Sequence, residues 1–288
     1  MRFTIKELEA LSGIKAHTIR IWEQRYHILS PARTSSNIRT YTSSELKTLL
    51  SVALLNNHGI KISRIAEMTE DQREKAISAI NSESAHTTRV VNELIGYMVD
   101  LNTVDFEQTL HKYLLSSGTE HTIKKIIYDF LERMDIFWQT NKLVPAHEHV
   151  VSHIIRQKIV AAIEQLPFVK KTSPLFILLL PEGEHYEMGL LYVYYLLRSK
   201  NIPVLYLGAN VPAKDISYLL EIKKPDYLFL HLTTSSRPQN WKPYFLFASQ
   251  TKLLISGSLP KTQKNMAIPG WIYLNSIKEI DQFTDQFV

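Results

Sequence analysis

Short apolar segments alternate with helical patterns along the carboxyl-terminal part of the chain, from Pro167 onward. The apolar segments are strand-like and lie at 175–180, 203–207, 227–232, 253–256 and 271–274. Helical patterns cover 185–199, 212–222 and the carboxyl end. This alternation predicts a parallel, doubly wound sheet, because each parallel strand needs a crossover before the next one. We therefore expect residues 167–288 to form an α/β domain.

The preceding region, residues 86–166, has a helical pattern throughout. Its apolar residues form stripes at helical spacing in four segments, 86–100, 103–116, 119–140 and 145–166. Four such segments with short connections predict a four-helix bundle. Residues 70–84 are polar and poor in large apolar side chains, and we expect a linker at Asn81-Ser-Glu-Ser84.

The amino-terminal residues, 1–75, predict a small domain of short helices with one hairpin. Thr4 and Glu7 have the spacing of a capping box that begins a helix, and Gly13 is placed to end it. A second helix and a basic, polar, aromatic loop follow this glycine turn.

The positive charge of the chain is concentrated at this amino end. The formal net charge is +5, and residues 1–64 hold ten Lys or Arg against four Asp or Glu, a balance of +6. Residues 65–288 have a balance of −1. A basic excess confined to one domain is typical of proteins that bind phosphate groups, whereas a charge that serves solubility is spread more evenly.

Side chains after the glycine turn predict contacts with double-stranded DNA. The candidates on the second helix are His17, Thr18, Arg20, Arg25 and Tyr26. Hydroxyl, imidazole and guanidinium groups bind base edges or phosphates when such a helix enters the major groove. The candidates on the loop are Arg33, Asn37, Arg39 and Tyr41. Because Arg39 and Tyr41 alternate in a strand-like tail, we expect both to project from one face toward phosphate.

Three motifs in this region closely resemble the winged helix-turn-helix of the MerR transcription regulators, over about residues 2–70. They are Thr18-Ile-Arg-Ile-Trp-Glu-Gln-Arg-Tyr26, Pro31-Ala-Arg33 and Asn37-Ile-Arg-Thr-Tyr41. The resemblance implies a dimer or higher oligomer on a pseudo-palindromic promoter site, with an indirect effect on RNA polymerase. Asn37 departs from the glycine that many members have at the wing tip, but asparagine also tolerates a positive φ. Residues 70–84 lack the long dimerisation helix of many members, so the oligomer must be arranged otherwise.

Two further clusters of polar and aromatic residues stand out. One is Trp138 with Pro145-Ala-His147-Glu148-His149, and the other is Glu182-Gly183-Glu184-His185-Tyr186-Glu187-Met188-Gly189, directly after a strand. His149 and His153 are four residues apart on one helix, which suits either a metal ligand pair or a solvated helix face. No recognisable ligand spacing orders these histidines, so we predict no metal site.

The order of these clusters resembles the cobalamin-binding region of the CarH/LitR photoreceptors, a branch of the MerR group. In that branch a helical bundle caps the upper face of the corrin, and a Rossmann-like domain holds the lower face. The resemblance implies a place for Trp138, Glu148 and His149 in the cap. The alternative for these three residues is a core tryptophan and a pair that caps a helix start.

The loop after the first strand of the α/β region departs from that branch. The family loop carries Asp/Glu-x-His-x-x-Gly, and its histidine ligates cobalt. Aligning Glu184 and Gly189 with it puts Tyr186 at the ligating position and His185 one residue earlier, about 100° away on a helix. A phenol is a poor cobalt ligand compared with imidazole. At Ile255-Ser256-Gly257-Ser258 the family usually has paired glycines that let the backbone approach the nucleotide tail.

These departures predict a retained sensor architecture with altered cofactor binding, and three alternatives stay open. The region binds cobalamin (adenosylcobalamin) without a protein lower ligand, or it binds another small molecule between cap and sheet. In the third alternative it binds nothing and serves oligomerisation. Neither activation nor repression is indicated by the sequence.

Several other classes of protein are disfavoured. The chain has no cysteine, which excludes disulfides and thiolate metal sites. No nucleophilic triad or phosphate-binding glycine loop is visible, so we do not expect an enzyme. The rival class is a subunit of a cobalamin-dependent methyltransferase, which pairs a similar cap and Rossmann unit, but a DNA-binding domain stands here instead of a methyl-donor partner. The run Leu175–Leu180 is far shorter than the roughly 20 residues that span a bilayer, so we expect a cytoplasmic protein without membrane contact.

Overall fold

The computed structural model describes residues 1–139, 145–232, 242–257, 271–274 and 276–287. The chain forms two compact units, Met1–Ile155 and Arg156–Val288. The first is helical with a small antiparallel sheet, and the second contains a parallel sheet with helices. The predicted combination of helical regions and a parallel α/β region is therefore confirmed. Within the described ranges, no helix is both long and apolar enough to span a bilayer.

The amino-terminal part of the first unit combines short helices with a three-stranded sheet. The strands are β1 (Arg2–Phe3), β2 (Ala32–Arg33) and β3 (Arg39–Thr42), in the antiparallel order β1-β3-β2. The helices are α1 (Ile5–Ser12), α2 (Ala16–Tyr26), α3 (Ser43–Asn57), α4 (Ile62–Ala66) and α5 (Glu70–Ser78). Their apolar faces meet in a core that contains Leu8, Ile19 and Leu49, all with no exposed surface.

Local hydrogen bonds fix both ends of α1, as the sequence predicts. The Glu7 carboxylate accepts a hydrogen bond from the Thr4 N–H at 2.5 Å, and the capping box is present. Gly13 follows the helix with a φ of 73°, a left-handed conformation that favours glycine. Its N–H donates to the Glu9 carbonyl at 2.9 Å, so that α1 ends there and the chain turns into α2.

Residues 70–78 form α5, and residues 80–82, at the start of the expected linker, lie outside any helix before α6 begins at Glu83. The Thr69 hydroxyl accepts a hydrogen bond from the Gln72 N–H at 3.3 Å, and the Gln72 side chain accepts one from the Thr69 N–H at 2.8 Å. This capping box begins α5. Ile77 is the one residue that α5 buries, in keeping with its low apolar content.

A series of helices completes the first unit and leads into the second. They are α6 (Glu83–Val99), α7 (Thr103–Ser117), α8 (Thr119–Thr122), which continues through a π-helical turn (Ile123–Ile127), α9 (Tyr128–Gln139) and α10 (Pro145–Glu164). α6 packs on α3, where Lys47 forms an ion pair with Asp100 and Asn92 Nδ2 donates to the Leu50 carbonyl at 3.4 Å. Arg133 Nη1 of α9 donates to Asn92 Oδ1 at 2.6 Å. The amino-terminal helices and α6–α9 are therefore joined in one unit.

The second unit is a five-stranded parallel sheet with helices between the strands. The strands are β4 (Phe176–Pro181), β5 (Val204–Val211), β6 (Tyr227–Leu232), β7 (Lys252–Gly257) and β8 (Trp271–Leu274). Between and after them lie α11 (Met188–Ser199), α12 (Ala213–Lys223), a 3-10 helix (Lys242–Ser249) and α13 (Ile277–Asp285). The order is β5-β4-β6-β7-β8 and every pairing is parallel, as the alternation predicts.

The two faces of this sheet are covered by different helices. Leu179, Leu230 and Ile255 lie in one buried cluster with residues of α12 and the 3-10 helix. Residues one position along each strand point to the other face. That face carries α11 and α13, which are joined by a hydrogen bond from the Tyr192 hydroxyl to Asp281 Oδ1 at 2.9 Å.

The direction in which strands are added reverses beside β4. The chain passes from β4 outward to β5 and then returns to β6 on the other side of β4. Doubly wound sheets bind ligands at such a switch point, in the crevice outside the carboxyl ends of the strands. The loop 182–187 after β4 and the carboxyl end of β6 therefore border the candidate ligand crevice.

Candidate functional site

One face of α2 is exposed along the length of the helix. Its exposed residues follow spacings of three and four, and they are His17, Arg20, Ile21, Gln24 and Arg25. Since an α-helix has 3.6 residues per turn, these side chains lie on one side. Ile19 and Trp22 on the opposite side are 0% and 6% exposed. The helix therefore presents a basic and polar face whose form suits the major groove.

Thr18 and Tyr26 lie at the margin of this face and are half-buried. The Arg25 guanidinium is 5.7 Å from the centre of the Tyr26 ring, a cation–π distance. The start of α2 is held by Glu9, whose carboxylate accepts a hydrogen bond from the Ala16 N–H at 3.2 Å. The N–H groups of the first turn carry the positive end of the helix dipole, which favours a phosphate.

β2 and β3 form a hairpin with Asn37 at its tip. Asn37 has a φ of 61°, the positive value predicted for it, and its N–H donates to the Thr34 carbonyl at 2.9 Å. Its side-chain oxygen accepts a hydrogen bond from Arg33 Nη1 at 2.6 Å. Arg33 and Asn37 are both exposed, so the turn itself orients a guanidinium at the surface.

Arg39 and Tyr41 share one face of β3, but this face points toward α2 and not toward solvent. Tyr41 is 0% exposed, and its hydroxyl donates a hydrogen bond to the Glu23 carboxylate. Arg39 Nε lies 3.1 Å from the same carboxylate. Burial, and then the bond to Glu23, raise the pKa of Tyr41 above its usual range. The expected phosphate contact of Tyr41 is corrected: a buried phenol must satisfy its donor inside the protein, and it joins β3 to α2.

Three residues of this surface are not among the DNA-binding candidates predicted from the sequence. Glu23 organises the junction of α2 and β3, and its role depends on a tertiary contact that no spacing reveals. Ile21 is 44% exposed within the basic face, where an apolar group suits a thymine methyl. Arg2 Nη1 donates to Thr40 Oγ1 at 3.1 Å, which places another guanidinium beside the hairpin. The sequence signal for Ile21 was its offset from the inward spacing of Ile19 and Trp22.

Main-chain hydrogen bonds fix the loop 182–187 between β4 and α11. The Gly183 N–H donates to Asn210 Oδ1 at 2.8 Å, and the Asn210 N–H donates to the Glu184 carbonyl at 3.0 Å. Glu184 is 1% exposed, whereas Tyr186 is 45% exposed. Glu184 is therefore an internal part of the loop, and the Tyr186 phenol is accessible to solvent.

The predicted cap residues fall on α9 and α10. Glu148 is 2% exposed, and its Oε2 has no hydrogen-bond partner among the residues described. His149 and His153, one turn apart, are exposed. The side chain of Trp138 lies outside the described part of the structure. Within that part, no group of three or more His, Asp or Glu side chains could hold a metal ion.

His231, near the carboxyl end of β6, faces the first turn of α11. A Cβ atom added to Gly189 would lie 2.3 Å from His231 Nε2, so the ring is packed directly against the glycine. His231 Nδ1 is 2.8 Å from the hydroxyl of Ser256, the residue opposite it on the neighbouring strand β7. Burial disfavours the charged imidazolium and lowers the pKa of His231 to about 4. A neutral imidazole therefore occupies the space between β6, β7 and α11.

This histidine should make the stability of the second unit sensitive to acid. Its ordinary pKa is 6.5, so the unfolded chain takes up a proton at a higher pH than the folded unit. The neutral imidazole contributes its full stabilisation above pH 6.5. As the pH drops to 4, the free energy of unfolding falls by up to about 3 kcal/mol, and this histidine causes no further loss below pH 4. We expect urea unfolding of wild type and His231→Gln to diverge in pH dependence over this window. Parallel profiles would contradict a neutral imidazole in the folded unit.

The chain is similar to known transcription regulators over most of its length. Residues 3–72 match the MerR HTH family regulatory proteins. The HTH-type transcriptional repressor CarH of Myxococcus xanthus is 25% identical over 238 residues, which cover 81% of this chain and 79% of that protein. CarA, a repressor of the same organism, is 27% identical over 255 residues, which cover 84% and 80%.

The fold is also similar to a solved structure, the monomethylamine corrinoid protein of Methanosarcina barkeri. That match has a TM-score of 0.57 at 11% identity and covers 70% of this chain and all of the other. At this identity the likeness concerns the fold alone. The relatives by sequence are transcriptional repressors, which is consistent with a regulator and not an enzyme. The chain is thus a DNA-binding transcription regulator homologous to CarH and CarA, with a MerR-type domain at residues 3–72 and a carboxyl-terminal region that shares the fold of a corrinoid protein.

Proposed function

We propose that this regulator reads promoter DNA with the exposed face of α2. The observation that carries the proposal is the row of exposed, mostly basic and polar side chains along that face, from His17 through Arg20 to Arg25. Arg20 lies in the middle of the row, where a guanidinium can meet the O6 and N7 of guanine. His17 in the first turn and Arg25 in the last are placed for the phosphates on either side of the groove.

The β2–β3 hairpin acts in this proposal as the wing of a winged helix-turn-helix. Its exposed Arg33, oriented by Asn37, contacts the phosphate backbone. Arg39 and Tyr41 support this contact indirectly, because their shared partner Glu23 holds the hairpin against α2. We therefore assign these two residues a positioning role.

The regulator acts in the cytoplasm as a non-enzymatic homo-oligomer, a dimer or tetramer, on a pseudo-palindromic site. It affects RNA polymerase indirectly, through the promoter. Residues 1–75 serve DNA binding, 86–166 form a four-helix bundle cap and 167–288 form the Rossmann-like region. The repressor names of CarH and CarA support the role in transcription regulation.

DNA binding can be tested by the salt dependence of affinity. In Arg33→Ala we expect weaker binding to the promoter fragment and a slope of log affinity against log salt that is lower by about one, because a phosphate contact is lost. In Arg20→Ala we expect binding weaker by about 1–3 kcal/mol, because a guanine contact is lost. Fluorescence anisotropy at several salt concentrations measures both quantities. Arg39 is unsuitable for this test, because its removal also breaks an ion pair with Glu23.

Lys223→Ala is the control, since it removes an exposed positive charge from α12 in the other unit. Its affinity and slope should equal those of the wild type. Wild-type affinity in both Arg20→Ala and Arg33→Ala would refute the assignment of α2 and the hairpin as the DNA-binding surface.

The residues of the ligand crevice do not fit a corrinoid that is ligated from below with its nucleotide tail inserted. Tyr186 supplies an exposed phenol where the resemblance implies a histidine ligand. His231 and Ser256 fill the region between the strands and α11. Ser258, the second serine of the Ile255–Ser258 motif, lies outside the described residues. The carboxyl-terminal region therefore serves first as a regulatory and oligomerisation module.

A second candidate role is favoured by Glu148. A carboxylate oxygen that is buried without a hydrogen-bond partner is unfavourable, and a donor on a ligand would relieve it. The candidate is a small molecule, or a corrinoid without a lower protein ligand, bound at the cap through Trp138, Glu148 and His149. Adenosylcobalamin added to the full chain tests this role by its absorption spectrum after gel filtration, in the dark and after light. Wild-type retention in Glu148→Ala would contradict a role for this carboxylate.

A further inference from the structure

The ligand crevice of the second unit is lined by a polar pair in an otherwise apolar part of the sheet. His231 and Ser256 are directly opposite each other on β6 and β7, at the carboxyl ends of the strands. On the same sheet face, two residues earlier on each strand, stand Phe229 and Leu254. The polar pair therefore sits where a doubly wound sheet offers its ligand crevice.

We infer that the side chain of His231 occupies this crevice and thereby excludes the nucleotide tail of a corrinoid from the space between α11 and the sheet. The inference rests on the proposed role of the carboxyl-terminal region as a corrinoid-type module, and it is independent of DNA binding. It concerns the tail alone, so that a corrinoid held at the cap is compatible with it.

The contact between His231 and Gly189 shows that the imidazole occupies the space beside the first turn of α11. Even one added methyl group on Gly189 would come within 2.3 Å of Nε2 and 2.5 Å of Cε1 of the ring. A nucleotide base is far larger than a methyl group. It has no room there while the imidazole stays in place.

The contact with Ser256 keeps the imidazole in place. The 2.8 Å hydrogen bond joins Nδ1 to a hydroxyl that is itself buried, and Ser256 is 1% exposed. Moving the ring out of the crevice would leave this hydroxyl without its partner, which is costly in a buried site. The ring is therefore fixed at one end by the serine and packed at the other against glycine.

A double-mutant cycle tests the packing against Gly189. In the wild-type background Gly189→Ala should lower the unfolding temperature of the second unit by at least about 3 °C, because the ring has no room to move. In a His231→Ala background the same change should be neutral or stabilising, because alanine suits a helix better than glycine. Equal effects in both backgrounds would overturn the contact on which the inference depends.

Ligand exclusion is tested with the tail base itself. His231→Ala opens the crevice, whereas His231→Gln keeps it filled with a neutral side chain of similar length. We expect 5,6-dimethylbenzimidazole to raise the unfolding temperature of His231→Ala by at least about 3 °C and to leave wild type and His231→Gln unchanged. A rise in the wild type, or no rise in His231→Ala, would overturn the inference.

Cobalamin added to the full-length wild type gives an independent readout. Absence of a complex, or a complex whose spectrum shows the nucleotide base still bound to cobalt, agrees with a filled crevice. A one-to-one complex with the base detached from cobalt and buried in the protein overturns it. Promoter affinity, measured on the same samples, should be equal in wild type and His231→Gln, so failure of this inference is distinguishable from failure of the DNA-binding assignment.

Discussion

Gly257→Ala should remove most of the stability of the carboxyl-terminal unit and lower its unfolding temperature by at least about 8 °C. A Cβ atom at this position would lie 1.9 Å from the Leu232 carbonyl oxygen, which belongs to the backbone of β6. A backbone atom cannot rotate aside, so β6 and β7 would have to separate at their carboxyl ends. Gly257 also has a φ of 93°, which disfavours any side chain.

Gly59→Ala is the matched control, because Gly59 has a similar φ of 87° and nothing within 4 Å of an added Cβ. Gly59→Ala should lower the free energy of unfolding by only about 1 kcal/mol, the cost of placing a side chain at a positive φ. Calorimetry gives the unfolding temperatures, and hydrogen exchange of β6 and β7 amides assigns the loss to the strands. Similar losses in Gly257→Ala and Gly59→Ala would show that the contact with Leu232 contributes nothing.

Glu23→Ala should affect stability and DNA binding together. The change leaves the Tyr41 hydroxyl buried without its acceptor and the Arg39 guanidinium without its ion pair. We expect a loss of about 3 kcal/mol in the unfolding free energy of the first unit, since the carboxylate serves two buried or half-buried partners. Promoter affinity should fall at least about tenfold, because the hairpin is no longer held at a fixed angle to α2.

Two variants separate positioning from direct contact in this experiment. Glu23→Gln still accepts the Tyr41 hydrogen bond but lacks the charge that Arg39 needs, so its stability should lie between those of Glu23→Ala and the wild type. Arg20→Ala should weaken DNA binding and leave stability unchanged, since Arg20 is exposed. If Glu23→Ala binds the promoter with wild-type affinity, the hairpin is not positioned through this residue.

The sequence was sufficient where a local pattern determines the structure. The parallel sheet follows from the alternation of apolar strands with helices, and α1 follows from the Thr4–Glu7 capping box and Gly13. The positive φ of Asn37 follows from the tolerance of asparagine for that conformation. The helix start and the turn depend on residues within a few positions of one another, and the sheet depends on a local pattern that repeats along the chain.

Features that depend on distant residues were not predictable in this way. From the sequence, Tyr41 is predicted to be a hydrogen-bond donor at the surface. In the structure, its hydroxyl donates to Glu23, which lies eighteen residues earlier. His231 lies in an apolar strand, and nothing nearby in the sequence indicates that it meets Gly189 of another element.

The polar links among Leu50, Asn92 and Arg133, together with the ring contact of Phe3 with Phe137, join α3 and β1 to α6 and α9. Since α1 contacts both α2 and α3, we expect a tilt of α6 or α9 to move α2 with it. Half-sites on DNA are spaced by whole helical turns, so the proposed oligomer would bind both half-sites only when its two α2 helices stand at matching separation. A new angle between the subunits would then be enough to put the second α2 helix out of reach of its groove, without any change inside either DNA-binding domain.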